Sequence, residues 1–447
     1  MQDIERKDKT YVWHPFTQMQ DWVENKQLVI AAGDGIKLID IDGKAYYDGV
    51  SSLWLNVHGH RKAAIDQAII DQLGKIAHTT MLGLANIPAA ELAEQLVKIA
   101  PPGLTRVFYS DSGSTAVEIA VKMAYQYWQL KGQTQKKKFI TLTNAYHGDT
   151  VGSVSVGGID LFHRIFAPLL FETVHAPSPS CFHCTLGDSP AACGFACVVA
   201  VEKLLADHHG EIAAMVVEPL VQGAAGMLVQ PPGYLRRVRE LTQRYGVLLI
   251  VDEVATGFGR TGRMFACEHE GVSPDLMTMA KGITGGYLPL AATLTTDEIY
   301  NAFLGPVEAQ KTFFHGHSYT GNPLACAAAL ANLRIFRDEQ VIENLGPKIE
   351  AARRKLAAFW QLAAVADIRQ CGLMIGIELM QDKATKQPYP PAWRMGHRVC
   401  MKTREYGLII RPLGDVVVFM PPLASTVEEI EEMLDIIYRA IAEVTNC

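Results

Sequence analysis

The chain has 447 residues, 49% of them hydrophobic and 20% charged, and its formal net charge is −6. This length predicts about two domains, and the composition is typical of a soluble globular protein. The acidic balance without any basic block argues against nucleic acid as the main partner. The polar N-terminus and the lack of a long apolar run predict a cytoplasmic protein with neither an export signal nor a membrane span.

Residues 1–60 contain short strand signals. Residues 36–41 alternate apolar and polar side chains, and Asp42-Gly43 is typical of a hairpin turn. Residues 51–60 combine aromatic, small hydroxyl and two histidine side chains, which we interpret as a pocket wall or as core packing. A metal site is disfavoured because we find no carboxylate or cysteine near the two histidines.

Residues 61–330 alternate helix and strand patterns, which predicts a mostly parallel α/β sheet. The strand at 106–109 leads into a hydroxyl-rich turn, residues 110–115, and a helix from Ala116. Such a turn presents free N–H groups and the positive end of the helix dipole to a phosphate. Ser, Asp and Thr are also ordinary helix caps, and the turn alone does not separate the two interpretations.

Polar residues close four successive strand-like runs in this region. In an open α/β sheet, ligands bind outside the carboxyl ends of the strands, so we expect these residues to border one site. The four residues are Ser110, Tyr146, Glu218 and Asp252.

Asp252 and Lys281 each follow an apolar run typical of a buried strand. A carboxylate or an ammonium there is costly unless it has a partner. Pyridoxal phosphate satisfies both, because its aldehyde condenses with a lysine amine and a carboxylate keeps its pyridine nitrogen protonated. The alternatives are an internal ion pair and two unrelated surface residues.

Residues 177–197 hold four of the nine cysteines. Their spacing is short for a ribbon-type zinc site, so we favour reduced thiols over a structural metal. The four are Cys181, Cys184, Cys193 and Cys197.

Ser318 and Thr320 precede a helix that begins at about Leu324, which predicts a second anion site. Residues 331–447 are typical of an α+β module. Arg411 ends a strand there and suits a carboxylate clamp.

The predicted division is a large α/β domain at 61–330 and a smaller α+β domain. The smaller domain combines 1–60 with 331–447.

The segment Asp252–Gly262 has the sequence DEVATGFGRTG, and Lys281 lies in AKGITGG. These motifs resemble the class III, fold-type I pyridoxal-phosphate aminotransferases, and the resemblance covers nearly the whole chain. Within that class, four segments resemble the biotin-pathway aminotransferases that act on 8-amino-7-oxononanoate. They are WHPFTQM at 13–19, residues 51–59, YHGD at 146–149 and FHG at 314–316.

The resemblance implies a homodimer with a shared site and pyridoxal 5′-phosphate as cofactor. Lys281 condenses with the cofactor and moves the substrate proton, Asp252 pairs with the pyridine nitrogen, and Tyr146 covers the ring. The implied cofactor-binding residues are Gly113, Ser114, Tyr146, Glu218, Asp252 and Lys281, with His317 and Ser318 from the other subunit. The implied substrate-binding residues are Phe16, Leu53, Trp54, Tyr146, Lys281, Gly316 and Arg411.

Three positions depart from the pattern of that branch. Many members have tyrosine in place of Phe16, a Trp-Trp pair in place of Leu53-Trp54, and threonine in place of Ser318. The first two lie in the implied substrate pocket, so the amino donor stays open between S-adenosylmethionine and lysine. The rival functions are another ω-aminotransferase, acting on a diamine, ornithine or γ-aminobutyrate, and a non-catalytic metal-binding protein.

Overall fold

The computed structural model describes residues 2–187 and 193–445. The strands, numbered in chain order, are β1 (Ile30–Asp34), β2 (Lys37–Asp40), β3 (Ala45–Asp48), β4 (Leu104–Ser110), β5 (Lys138–Leu142), β6 (Thr173–Ala176), β7 (Ile212–Val217), β8 (Val221–Gln222), β9 (Leu228–Val229), β10 (Leu248–Asp252), β11 (Leu276–Met279), β12 (Ala291–Thr296), β13 (Val365–Cys371), β14 (Met374–Leu379), β15 (Leu408–Ile409), β16 (Arg411–Leu413) and β17 (Val416–Phe419).

The α-helices are α1 (Gln2–Tyr11), α2 (Met19–Glu24), α3 (Ser51–Trp54), α4 (Ala63–Leu73), α5 (Ile87–Ile99), α6 (Gly113–Leu130), α7 (Val151–Ser155), α8 (Asp160–His163), α9 (Ala196–His208), α10 (Tyr234–Arg244), α11 (Asp297–Ala302), α12 (Pro323–Asp338), α13 (Leu345–Leu356), α14 (Met395–Glu405) and α15 (Val427–Thr445). Within the described ranges, no helix is both long and apolar enough to cross a membrane.

The largest sheet has the strand order β4-β12-β11-β10-β7-β5-β6. Strand β12 is antiparallel to both neighbours, and the remaining pairs are parallel. Parallel pairs need crossover connections, which the helices between successive strands provide. The carboxyl ends of β5, β7, β10 and β11 therefore meet at one edge, as the alternating pattern predicts.

Helices cover both faces of this sheet. Along β10, Leu249 and Val251 face the core that contains α10, whereas Leu248 and Ile250 face the core that contains α6. All five residues of β10 are buried. This confirms the prediction of a strand buried on both faces, with Asp252 as its last residue at the sheet edge.

Two smaller four-stranded sheets lie outside the large one, and one of them combines strands from both ends of the chain. One has the order β1-β2-β3-β15, in which β15 joins β3 in parallel, and the other has the order β13-β14-β17-β16. The N-terminal strands thus contact residues from the C-terminal part. The predicted boundary at residue 330 falls inside α12, and the three-part division stays a prediction.

The predicted C-terminal strand at 408–411 is two strands in the structure. Strand β15 pairs with β3, while β16 pairs with β17 in a different sheet, and Ile410 lies between them. The apolar run at 408–411 does not indicate that its two halves pair with different strands. Its consequence is that Arg411 begins a strand instead of ending one.

Candidate active site

A cavity of about 740 Å³ lies at the carboxyl-end edge of the large sheet. Three of the four predicted strand-end residues line it: Tyr146, Glu218 and Asp252. The fourth, Ser110, is buried as the last residue of β4, and the residues that follow it line the cavity instead. Lys281 joins them from the end of β11.

Lys281 is the first residue of a short 3₁₀ helix, Lys281–Thr284, and its φ of +48° is left-handed. That region costs a residue with a Cβ atom on the order of 1–3 kcal/mol, so surrounding contacts must hold it. The buried Asn332 amide does so by donating to the carbonyls of Gly282 and Ile283, each at 3.0 Å. The Lys281 amine then lies 5.5 Å from the centre of the Trp54 ring.

Burial lowers the pKa of Lys281, and the neighbouring Arg260 lowers it further. The carboxylates of Asp252 and Glu218 act in the opposite direction without reversing the shift. The shift favours the neutral amine, which is the form that attacks a carbonyl carbon. The cavity thus contains an amine of lowered pKa together with two carboxyl groups.

Asp252 is only 4% exposed and accepts three hydrogen bonds. Its Oδ1 accepts from Val254 N–H at 3.0 Å and from the Thr278 hydroxyl at 3.1 Å, and its Oδ2 contacts His147 Nδ1 at 2.7 Å. A carboxylate offers about four acceptor positions, so about one remains for a ligand.

Glu218 follows β7 and is 5% exposed. It accepts hydrogen bonds from Tyr146 N–H at 3.1 Å and Gly223 N–H at 2.8 Å. Burial, together with the charge of Asp252, raises its pKa to about 7, although His147 opposes the change. This carboxyl group therefore exchanges its proton near neutral pH.

Helix α6 begins at the cavity with a capping box. The Ser112 hydroxyl accepts from Thr115 N–H at 3.3 Å, and the Thr115 hydroxyl accepts from Ser112 N–H at 3.1 Å. The first N–H groups of an α-helix lack intrahelical acceptors, so Gly113 and Ser114 present theirs at this end. The two interpretations of the turn are compatible, because Ser112 caps the helix and the next two residues line the cavity.

Gly113 has no room for a side chain. A Cβ atom there would lie 2.5 Å from Cγ1 of Val254, which follows Asp252 by two residues. The helix terminus and the Asp252 strand end therefore approach each other more closely than any residue with a Cβ atom allows. The phosphate-cradle prediction thus coincides with a position that requires glycine.

Trp54 reaches the cavity through an unusual turn. The four residues of α3, Ser51 to Trp54, have φ values of +50°, +52°, +93° and +69°, so this short element is a left-handed turn instead of a right-handed helix. Such angles are rare outside glycine, so tertiary contacts must impose them. The Ser51 hydroxyl donates to Met420 carbonyl at 2.7 Å, and Ser52 is bound by the buried Asp48. Trp54 is 6% exposed, whereas Leu53 is 45% exposed and does not line the cavity.

Tyr146 is bound on one side by Asp149, whose Oδ2 accepts its hydroxyl proton at 2.8 Å. On another side, Phe16 contacts it edge-on with ring centres 6.5 Å apart. Phe16 is 62% exposed, so it lies at the mouth of the site.

Six predicted site residues lie outside the cavity walls of this chain: Phe16, Leu53, Gly316, His317, Ser318 and Arg411. Asn322 caps α12 by accepting from Ala325 N–H at 3.0 Å, so Ser318 and Thr320 lie before the helix instead of at its first turn. Gly316 and Ser318 are exposed, and the ring of His317 accepts a hydrogen bond from Tyr319 N–H at 3.2 Å. The second anion site at this segment stays a prediction.

Arg411 is partly buried, and burial lowers the pKa of its guanidinium. It lies close enough to Tyr146 for their charges to interact. In the described part of the chain it forms no ion pair with a carboxylate. A buried cation without a partner is available to an anionic ligand.

The cysteine-rich segment is described except for residues 188–192. Cys181 is exposed and Cys197 is buried, with Cys184 and Cys193 between these extremes. Across residues 2–187 and 193–445, no three His, Cys, Asp or Glu side chains come together in an arrangement that holds a metal ion.

Sequence reasoning missed two carboxylate–histidine contacts. His60 Nε2 lies 3.1 Å from Asp48 Oδ2, a carboxylate overlooked in judging the histidines of residues 51–60. His147 contacts Asp252, which follows it by 105 residues. The only available signal was the position of His147 directly after Tyr146, a strand-end residue.

Comparisons with known proteins identify the family. The family model described as aminotransferase class-III matches residues 18–441. The chain belongs to the class-III aminotransferases.

The curated relatives and solved structures cover nearly the whole chain. An adenosylmethionine-8-amino-7-oxononanoate aminotransferase of Anoxybacillus flavithermus is 58% identical over 98% of this chain and 96% of its own. One of Geobacter sulfurreducens is 53% identical over 98% and 97%. The crystal structure of the Methanocaldococcus jannaschii enzyme of that name superimposes with a TM-score of 0.94 at 47% identity, covering 99% of both chains.

The chain is a transaminase of fold type I, and its cofactor is pyridoxal phosphate, as in other class-III aminotransferases. The ω-transaminase of Pseudomonas jessenii in complex with PMP has a TM-score of 0.95 at 33% identity, covering 99% of this chain and 98% of that one. The cavity fits such a cofactor. Asp252 retains an acceptor position, Lys281 has a deprotonation-prone amine, and α6 directs N–H groups toward it.

Proposed function

We propose that this transaminase converts 8-amino-7-oxononanoate to 7,8-diaminononanoate in biotin biosynthesis. The amino donor is S-adenosylmethionine or lysine. The observation that carries the proposal is the meeting of Lys281, Asp252 and the α6 terminus in one cavity, in a chain up to 58% identical to enzymes named for this acceptor.

The bound pyridoxal phosphate supplies an aldehyde and an aromatic ring that delocalises an electron pair. Lys281 would hold the cofactor through its aldehyde carbon, with loss of water; once a substrate amine had taken its place, the released Nζ would remove and return the proton at the amine-bearing carbon of the substrate. Asp252 would keep the ring nitrogen protonated. The lowered pKa of Lys281 supports its role in proton transfer, because only the neutral amine accepts a proton.

Further residues bind and orient the cofactor. Gly113 and Ser114 would donate N–H groups to its phosphate, and Tyr146 would lie against its ring. Glu218 supports Tyr146 by accepting a hydrogen bond of 3.1 Å from the Tyr146 backbone N–H. In the proposed homodimer, His317 and Ser318 of the partner subunit complete the phosphate site, which accounts for their exclusion from this chain's own cavity.

We assign substrate binding to residues around the cavity mouth. Trp54 lines the cavity beside Lys281, and Phe16 covers the outer edge of Tyr146. Leu53 and Gly316 contribute from exposed positions. Arg411, whose guanidinium has no ion-pair partner among the described residues, binds the distal carboxylate of the acceptor.

A second candidate is a broader ω-transaminase activity on amines. The observation that favours it is the TM-score of 0.95 with the ω-transaminase of Pseudomonas jessenii. The identity of 33% to that protein is well below the 58% to the acceptor-specific relative, so we place it second.

An amino-donor panel with purified, cofactor-loaded protein tests the proposal. With 8-amino-7-oxononanoate as acceptor, we expect 7,8-diaminononanoate from S-adenosylmethionine or lysine, detected by mass spectrometry. Pyruvate is the control acceptor. Efficient transfer to pyruvate from simple amines, with none to 8-amino-7-oxononanoate, would establish the second candidate instead.

A further inference from the structure

His58 and Asn332 are buried polar residues behind the Lys281 turn, the short 3₁₀ helix Lys281–Thr284. Neither of them lines the cavity. His58 Nε2 and Asn332 Oδ1 are both buried without a hydrogen-bond partner among the described residues. Buried polar atoms are rarely left unpaired, so two of them in one place require an explanation.

The two side chains meet at Gly285, the residue that follows the turn. A Cβ atom at Gly285 would lie 3.0 Å from Asn332 Oδ1 and 3.6 Å from His58 Cδ2. The Val57 N–H, one residue before His58, donates to the Gly285 carbonyl at 3.4 Å. The segment that carries His58 is therefore bound to the end of the same turn that the Asn332 amide holds.

His58 is neutral at neutral pH and has a single ring N–H. Burial, together with Lys62, lowers its pKa to about 4, while Glu339 and the acceptor groups of Asn332 act in the opposite direction. A neutral imidazole has one donor and one acceptor nitrogen. With the proton on Nε2, the ring donates to Asn332 Oδ1, and one interaction accounts for both unpaired atoms.

The Asn332 amide holds the turn in only one orientation. Its NH₂ group donates to the carbonyls of Gly282 and Ile283, each at 3.0 Å, so both amide hydrogens are used. The flipped amide would place Oδ1 against these two carbonyl oxygens, and both bonds would be lost. A donor to Oδ1 favours the orientation that holds the turn. The left-handed φ of Lys281 makes the turn dependent on such bonds.

We propose that His58 is a positioning residue for Lys281 that acts through Asn332: its Nε2–H donates to Asn332 Oδ1 and keeps the amide bound to the turn. The turn then fixes the backbone from which the Lys281 amine reaches the cofactor. This rests on the proposed attachment of the cofactor to Lys281. It adds to the site a residue that contacts neither cofactor nor substrate.

The test compares two cofactors that differ only where the lysine attaches. Pyridoxal phosphate has an aldehyde at that carbon, and 4′-deoxypyridoxine phosphate has a methyl group there. The measured quantity is the ratio of their dissociation constants, obtained by titrating cofactor-free protein and following its fluorescence. Both compounds have the same phosphate and ring nitrogen, so the ratio reports attachment to the lysine.

The premise is tested separately from the inference. Lys281→Ala should abolish the preference for the aldehyde, and a preference that persisted there would overturn the attachment and the inference with it. The readout involves no substrate. Failure to convert 8-amino-7-oxononanoate would therefore count against the proposed function and leave the titrations valid.

Two variants of His58 separate the donor from the bulk of the ring. His58→Phe keeps the ring that packs edge-on against Phe336, with centres 4.9 Å apart, and removes the donor. We expect the preference for pyridoxal phosphate to fall about tenfold, the factor of one hydrogen bond. His58→Gln places an amide N–H near the Nε2 position, so it should retain most of the preference.

His269→Phe is the matched control. Burial also lowers the pKa of His269, but its Nε2 contacts the Thr261 hydroxyl at 3.2 Å and it does not line the cavity. Its replacement should leave the ratio unchanged. A ratio that fell as far as in His58→Phe would overturn the proposal, because any loss of a buried histidine would then have the same effect.

A double-mutant cycle separates action through Asn332 from general support of the fold. Asn332→Ala removes the amide, so it should lower the ratio at least as far as His58→Phe does. Adding His58→Phe to Asn332→Ala should cause no further fall, because the amide that His58 orients is already absent. Three results would each overturn the proposal: an unchanged ratio in His58→Phe, an equal loss in His58→Gln, or additive losses in the double variant.

Discussion

Asp48 accepts two hydrogen bonds from Ser52, one from the backbone N–H at 2.8 Å and one from the hydroxyl at 2.7 Å. The Asp48 side chain is fully buried, and its second oxygen also contacts His60. These bonds offset the cost of the left-handed turn that ends at Trp54. A carboxylate far from the chemistry thus determines where an aromatic wall of the cavity lies.

Replacing Asp48 should therefore affect both stability and the cavity. We expect Asp48→Ala to lower the free energy of unfolding by about 2–3 kcal/mol, because Ser52 loses two hydrogen bonds to a buried, charged acceptor. Tryptophan fluorescence should also change as Trp54 leaves its buried position. Asp42→Ala, in a more exposed turn nearby, is the control; equal effects of the two changes would contradict this role.

Gly113 gives a prediction about cofactor affinity. Gly113→Ala places a Cβ atom 2.5 Å from Val254 Cγ1, which forces the helix terminus and the Asp252 strand end apart. We expect weaker binding of pyridoxal phosphate, measured by titration, with the far-ultraviolet circular dichroism preserved. Val254→Ala removes the obstructing methyl groups, so the double variant should recover part of the affinity. Without any recovery, the steric explanation is wrong.

The raised pKa of Glu218 predicts that the stability of the cofactor-free protein depends on pH. Its folded-state pKa is raised from 4.5 to about 7, so the folded protein retains a proton that the unfolded chain releases. Stability should therefore fall as the pH rises from about 4.5 through about 7, by about 3 kcal/mol in total. Glu218→Gln should abolish this dependence and be more stable than wild type above pH 7. Thermal melts across that range measure both, and parallel curves for the two proteins would show that another group is responsible.

The sequence predicts the strand ends of this site because each apolar run stops at a polar residue. Tyr146, Glu218 and Asp252 are found in this way, and the parallel order of their strands makes them meet. Composition carries no comparable signal for the turn from Ser51 to Trp54. Its left-handed angles arise from bonds to Asp48 and Met420, and the second of these lies 369 residues away.

The sequence also does not predict residue contacts that depend on the order of strands in the sheet. His147 and Asp252 are in contact only because β5 lies two positions from β10 in the sheet. Arg411 was predicted to end a strand, but in the structure it begins β16, because β15 and β16 join different sheets. Periodicity within a segment indicates burial, whereas these positions depend on which segments pair.

Lys281 tests the proposed chemistry directly. Lys281→Ala removes the amine to which we assign attachment of the cofactor and movement of the substrate proton, and such a proton-transfer role alone contributes about 10²–10⁴-fold to rate. We expect turnover to disappear. The melting profile of the cofactor-free protein should show no loss of stability, because the amine does not help to hold residue 281 at its strained φ of +48°. Lys311→Ala, on the segment before Gly316, is the control. Normal turnover in Lys281→Ala would reject the mechanism.

We expect Arg411 to determine which acceptor binds, without taking part in the transfer of the amino group. The acceptor has a carboxylate at the far end of an apolar chain, and a guanidinium offers it two parallel hydrogen bonds that a lysine does not reproduce. Arg411→Ala should weaken acceptor binding by about 2–5 kcal/mol, the usual cost of stranding one member of a buried charge pair. Arg411→Lys should recover only part of that loss.

The measurement for Arg411 is a pair of half-reaction titrations, with the carboxylate acceptor and with a diamine donor that lacks a carboxylate. The diamine should be affected much less, because it has no group for the guanidinium to bind. Arg404→Ala is the matched control, since burial also lowers the pKa of that arginine and it lies near the same Cys400. It should leave both half-reactions near wild type. Equal losses for acceptor and diamine in Arg411→Ala would assign Arg411 to the fold or the cofactor, and the proposed acceptor would then lose its main physical support in this chain.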